Sequence, residues 1–410
     1  MASGGPSTVA VVKTGGPDED QVAGGFHALL DHLGGLKAVI PSKTKKVLIK
    51  PNLMMGEDWK TGITVNPYLI ELLVGALRHD GFDPVVGEGA GWGCPSDTAF
   101  RKTGVDVLCR RLDVPLVDFK RGKSMRVPVK NGLVLDYVTV DDIMKEIDFI
   151  ISLAKMKTHC ECLVSLSLKN MKGLITEDRE RLRYHLLDVN RCLIDLNTVY
   201  KPGLSIVDGI IALEGIGPLR PGKPKPLGLL VGGTDPLAVD STCARIMKVD
   251  PAEIRHLQIA YEAGLGEIEA AAVSIRGERL EDVTPDTYEF PPLRIEDISP
   301  YEKIKVTPGG PCSNCIASLA SYLHGYIDKH VIDEATHNIT ILIGAKARSR
   351  GTGNEIAIGR CLERYEGKLP FVGGCPPPSD AYLELIELGL KGIFPVATVD
   401  QDARVVPADE

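Results

Sequence analysis

From Val9 to Met247 short apolar, β-branched runs alternate with helical patterns of ten or more residues, and this alternation constrains the fold more than any other feature. Val9–Lys13, Lys46–Lys50, Pro84–Glu88, Ile147–Ala154, Leu204–Asp208 and Leu227–Val231 read as strands. Gln21–His32, Pro67–Arg78, Arg181–Tyr200 and the stretch from Asp235 to Met247 read as helices, with Asn66 and Asp235 as N-caps ahead of a proline at the first helical position. Strands joined through helices pair in parallel, because a parallel neighbour requires a crossover. The expected fold is therefore α/β, a mostly parallel sheet flanked by helices.

A chain of 410 residues exceeds one ordinary core. The irregular stretch Val273–Pro308, with Pro285, Pro291 and Pro292, reads as a link to a smaller C-terminal α/β domain. That domain has strands at Ile339–Gly344, Ile356–Gly359 and Phe371–Val372 and a helix over Asp380–Leu390. The expected division is 1–285 and 286–410. No apolar run reaches the length of a bilayer span and the N-terminus has no signal-peptide pattern, so the expected location is the cytoplasm. The net charge of -8 argues against nucleic-acid binding, which needs a basic surface.

Against that acidic background, Ile151–Gly173 carries Lys155, Lys157, Lys169 and Lys172 and a single acid, Glu161. The strand leading into it is expected to end at Ala154, which puts the lysines at a carboxyl end, where open α/β sheets bind ligands. A helical pattern from Leu163 would place Ser165, Lys169 and Lys172 on one face, and an anion between the lysines would relieve their repulsion. Lys50 and Asn52, beside Pro51, are expected at the same sheet end, as is Asp208 with the Gly/Pro-rich loop Leu213–Pro226. The alternative is a solvated basic edge. The run Gly87–Gly93 could cradle a phosphate through its amides, but it matches neither the dinucleotide nor the Walker spacing.

Ten cysteines without a disulfide context suggest buried thiols plus a metal site. Cys312 and Cys315 form a Cys-x-x-Cys turn, Cys361 follows one C-terminal strand, and Cys375, in Gly-Gly-Cys-Pro-Pro, follows another. Four thiolates suit an iron–sulfur cluster or zinc; the split second pair and the Cys-Pro context favour a [4Fe-4S] cluster, with zinc or unliganded thiols as alternatives.

With these residues in view, the chain resembles the DUF362 family through Lys50–Leu53, Ser152–His159, Ser167–Gly173, Asp208-Gly209 and Gly233–Asp240. Members are often described as iron–sulfur proteins with Cys-x-x-Cys-x-x-Cys runs; this sequence lacks that run. Gly374–Pro377 looks like a cluster ligand of small quinone-reductase subunits. A looser likeness, in architecture alone, is to the nickel-pincer lactate racemase group.

The combined expectation is a cluster-dependent enzyme, redox in type, acting on an anionic small molecule between the two domains. In it, His159, His185 and Lys155 are catalytic candidates; Lys50, Asn52, Lys157, Lys169, Asn170, Lys172 and Asp208 bind substrate; Cys312, Cys315, Cys361 and Cys375 hold the cluster. The alternatives are a cluster-dependent isomerase or lyase of a hydroxy acid and a non-catalytic electron-transfer or cluster-assembly protein. A ferredoxin-type electron donor and a homodimer are the expected partners.

Overall fold

The computed structural model describes residues 6–396 apart from 92, 93, 293, 375, 376 and 378–380. The chain divides into two compact units. The first takes the chain up to Thr158, then Cys162–Glu214 and Lys223–Glu289; the second takes His159–Glu161, Gly215–Gly222 and the chain from Phe290 onward.

The strands of the first unit are β1 (Ser7–Lys13), β2 (Lys46–Pro51), β3 (Asp83–Glu88), β4 (Leu116–Asp118), β5 (Ser124–Pro128), β6 (Tyr137–Asp141), β7 (Phe149–His159), β8 (Leu163–Ser165), β9 (Leu204–Glu214), β10 (Lys223–Gly233) and β11 (Val273–Gly277). Nine of them form one sheet in the order β11-β1-β10-β9-β7-β2-β3-β4, with β8 beside β7. Every strand along that order runs parallel to its neighbours except β10, which is antiparallel to β1 and β9. β5 and β6 form a separate antiparallel ribbon. Helices flank the sheet, so the mostly parallel α/β architecture stands. Asn66 and Asp235 cap their helices as expected, accepting from Tyr68 N and from Leu237 N and Ala238 N.

Four local expectations are corrected. β7 does not end at Ala154 but continues to His159, buried on both faces, so Lys155 and Lys157 lie within a central strand. A strand covered on both sides loses the alternation that would mark its extent. Leu163–Ser165 is a strand, and helix is confined to Ser167–Asn170 with a 3-10 turn over Met171–Leu174, so Ser165 does not share a helical face with Lys169. Arg181–Tyr200 is two helices, Asp178–Leu187 and Val189–Val199, broken at Asp188, whose extended backbone and carboxylate cap the second. The expected loop Leu213–Pro226 is mostly strand: β9 and β10 form a long hairpin around Gly215–Gly222. Pro224 and Pro226 fit there because β1 pairs with β10 only from Leu229 onward, leaving the proline stretch an edge.

The second unit holds β12 (Ile304–Pro308), β13 (Ile339–Ile343), β14 (Glu355–Ile358) and β15 (Phe371–Val372), all parallel in that order. Its core gathers Ile304, Val306, Ile341 and Ile356 with Leu385 of the helix Ala381–Leu390. Among the described residues no helix is long and apolar enough to cross a membrane.

Asp195 is fully buried in the helix Val189–Val199 and accepts from the amides of Leu133, Val134 and Leu135 at 2.6, 2.9 and 2.8 Å. It thereby closes the turn between β5 and β6. Removing its side chain leaves the buried amide of Leu135 unmet, at about 1–3 kcal/mol, and frees two part-buried amides that water can reach. Asp195→Ala should therefore lower stability by about 1–3 kcal/mol in urea unfolding.

Candidate functional site

In the first unit, β7 lies between β9 and β2, and its lysines are the centre of a polar network in an otherwise apolar layer. Lys50, Lys155 and Lys157 are all at most 1% exposed. The Lys50 ammonium sits 2.8 Å from Glu88 at the end of β3, and also donates to Pro51 O and Asn170 Oδ1. Lys155 pairs with Asp208 at 2.9 Å, its register partner across β7 and β9. Among the described residues no carboxylate pairs with Lys157: its amine donates to Asn52 Oδ1 at 2.7 Å and Ile63 O at 2.9 Å. Burial lowers the pKa of all three lysines; the nearby carboxylates oppose this for Lys50 and Lys155. For Lys157, Lys169 adds to the burial and the depression is deeper.

Asn170 joins these parts. Its amide donates to Lys50 O and Ser152 Oγ, while its Oδ1 accepts from Lys50 and from Asn52. The short turn Ser167–Asn170 that carries it is held from two sides. Asp240 accepts from Ser167 N and Leu168 N at 2.8 and 2.9 Å, and Asn197 Nδ2 donates to Leu168 O. Lys169 is half-buried and makes no hydrogen bond or ion pair with any described residue. Lys172 Nζ lies 2.5 Å from His185 Nε2.

Of the candidates named from the sequence, Lys50, Asn52, Lys157 and Asn170 thus form one connected network, with Lys155–Asp208 alongside it in the sheet. Lys172 and His185 form a separate contact. His159 ends β7, accepts from Glu161 N at its Nδ1, and belongs to the second unit.

Among the described residues of the glycine-rich run after β3, Gly89, Ala90 and Gly91 do not present free amides to a phosphate. Gly89 N donates to Gly173 O and Glu88, Ala90 N to Ser96 Oγ and Gly91 N to Met54 O. Buried Arg181 instead collects the carbonyls of Gly89, Ala90, Gly173 and Ile175. The sequence reading passed over Glu88 and Arg181. A carboxylate inside a glycine run is the wrong charge for a phosphate loop, and that was the available signal for Glu88. Gly173 lies against the ion pair: a Cβ there would collide with Glu88 and the end of Lys50.

In the second unit, Cys312 precedes the helix Ser313–Ser321 after β12, and Cys361 follows β14. A Cβ built on Gly359 would lie 3.5 Å from Cys315 Sγ and 3.7 Å from Cys361 Sγ, so a glycine keeps open the space between two sulfurs. Burial, then the neighbouring Cys312, raises the Cys361 pKa. Cys375 lies outside the described residues. Among the described residues no group of three or more His, Cys, Asp or Glu side chains forms a metal site.

Two measurements probe this network. Because Lys155 and Asp208 are both fully buried, Asp208→Ala strands an ammonium and should cost about 3–5 kcal/mol, whereas Lys155→Met with Asp208→Leu should recover only the part due to the ammonium, since the amides of Asn66 and Ile210 stay unmet. Burial pushes Asp240 up to about 7 despite its two amide donors. A raised acid binds more protons folded than unfolded, so its contribution is full below pH 3.8 and lost as pH rises to about 7. Asp240→Asn should remove that slope from a stability–pH profile, while losing one of the two amide bonds.

Residues 47–245 match the family described as a domain of unknown function, DUF362. A thylakoid-associated protein of Synechocystis sp. is 26% identical over 264 residues, 63% of this chain and 80% of that protein. Among solved structures, the lactate racemase apoprotein from Thermoanaerobacterium thermosaccharolyticum is similar over 51% of this chain and 50% of its own, at 11% identity and a TM-score of 0.36. The family match opens in β2 and closes in the helix Pro236–Ile246, taking in Lys50, Lys155, Lys157 and Asp208 with their partners. The segment that builds the lysine network is the one that matches the DUF362 family model.

Proposed function

We propose that this protein is an enzyme acting on a small molecule through a carboxylate or phosphate group held by the lysines of the first unit. Iron–sulfur redox chemistry completes the proposal, with the cluster on the cysteines of the second unit. The observation that carries the anion reading is the imbalance of buried charge. Lys50 is matched by Glu88 and Lys155 by Asp208, but Lys157 faces only an amide and a carbonyl oxygen and Lys169 has no described partner. A buried cation without a counter-ion is costly, and a bound anion offsets that cost. It would also draw a proton back onto Lys157, whose ammonium form burial disfavours.

On this reading Lys157, Lys169 and Lys172 meet the anionic group. Lys50, Asn52, Asn170, Lys155 and Asp208 hold the frame that aims them. His185, in contact with Lys172, and His159 are the groups able to move a proton near neutrality.

The cluster reading rests on the chemistry of four thiolates rather than on an assembled site: the sulfurs of Cys315 and Cys361 both lie within 3.7 Å of where a Gly359 Cβ would be, Cys312 packs against the core that holds Cys315, and Cys375 would complete the four. When bound, a cluster would supply an electron, or a Lewis-acidic iron if one position stays open.

Anaerobic purification should yield brown protein with iron and acid-labile sulfide, both lost when the four cysteines are changed to serine. Phosphate or a small carboxylate should raise the Tm, and Lys157→Met and Lys169→Met should each diminish that rise. Colourless, iron-free, zinc-loaded protein would overturn the cluster half; a Tm indifferent to every anion would overturn the other.

A further inference from the structure

His256 lies on the helix Arg255–Glu262, which packs against Val189–Val199 and Pro236–Ile246. It is 0% exposed, and neither ring nitrogen has a hydrogen-bond partner among the described residues. A neutral imidazole carries one donor and one acceptor, and burying both unmet is costly. Core packing does not account for a histidine here, because leucine would fill such a place without that cost.

The setting indicates what the ring is placed to meet. The turn Ser167–Asn170 that carries Lys169 packs against the same two helices as the helix of His256, and the Lys169 charge adds to burial in holding the imidazole down at about 3. The Lys169 ammonium itself has no described partner. The turn that carries it is fixed by Asp240 on one side and by Asn197 on the other. An ammonium beside an unmet N–H suits an oxyanion. A metal ion on the imidazole would instead face a cation across a weakly screened interior.

We propose that His256 and Lys169 form an anion subsite, the imidazole N–H donating to a carboxylate or phosphate oxygen that the Lys169 ammonium also holds. This rests on the anion reading of the lysine network and assigns it a residue from outside the family segment, which ends at residue 245. Asn197, whose Oδ1 is buried and unpartnered, is a positioning residue: its Nδ2 ties Leu168 O and Leu193 O and so sets where Lys169 starts.

The test uses the full chain with inorganic phosphate in one arm and malonate in the other, which separates the two anion classes. His256→Leu removes two unmet nitrogens, so its Tm without anion should match or exceed that of the parent. Its apparent Kd for the favoured anion should nevertheless weaken about tenfold, as expected for a lost hydrogen bond to a charged group. His256→Gln keeps a donor and should recover part of that loss. In the parent, the ring resonances of labelled His256 should shift on anion titration, which requires no variant to fold. Unchanged ring resonances, or anion affinity kept in His256→Leu but lost in Lys169→Met, would overturn the subsite and leave the lysine reading intact. An internal water as the sole occupant would show itself in that way. Absence of any anion effect on the parent would overturn both.

Discussion

The first unit depends on keeping lysine amines in the middle of a sheet covered on both faces. Removing an ammonium from water costs several kcal/mol, and the Coulomb attraction of a partner repays it only with good geometry and further hydrogen bonds. Glu88 and Asp208 supply both. Each carboxylate also accepts backbone amides: Glu88 from Leu53 and Gly89, Asp208 from Asn66 and Ile210. Asn66 is itself the cap of the helix Pro67–His79. The turn after β2, the turn after β3 and the start of a long helix are therefore fixed by the same two ion pairs that neutralise the lysines. Fold and candidate site share their supports.

A second consequence is a division of labour among similar side chains. Two lysines are spent on structure, one is buried against neutral oxygens, and one has no described partner. Arg181, whose guanidinium stays charged even when buried, takes the purely structural task of gathering four carbonyls. Lysine, whose proton can be removed by burial, occupies the positions where a change of charge would matter.

The sequence reveals the sheet because apolar runs, prolines and capping residues are local signals, and Asn66 and Asp235 behave as their positions indicate. Lys50 with Asn52, Lys157 and Asn170 come from three stretches of the chain and join one network, whereas Lys172 contacts His185 instead. What it conceals has physical causes. β7 extends past Ala154 because a partner on β9 makes Lys155 a tolerable strand residue, and that pairing is invisible from β7 alone. The break at Asp188 is hidden because a single aspartate inside a helical pattern reads as one more polar position. His256 gives no signal, since a lone histidine on a helix ordinarily means nothing; what marks it is that its ring has no partner among the described residues. Asp240 could face core or site from the sequence, and it caps the turn that carries Lys169.

The discontinuity of the second unit bears on how the chain can be cut and assembled. Cys160 and Ile216, delivered by the tips beyond β7 and β9, pack onto the core formed by the C-terminal strands. A fragment beginning near residue 290 would lack those two pieces. The smaller unit is therefore no detachable module that could be transplanted by one splice. It is completed by loops whose stems lie in the other unit's sheet. During synthesis those loops leave the ribosome before the C-terminal strands whose core they complete.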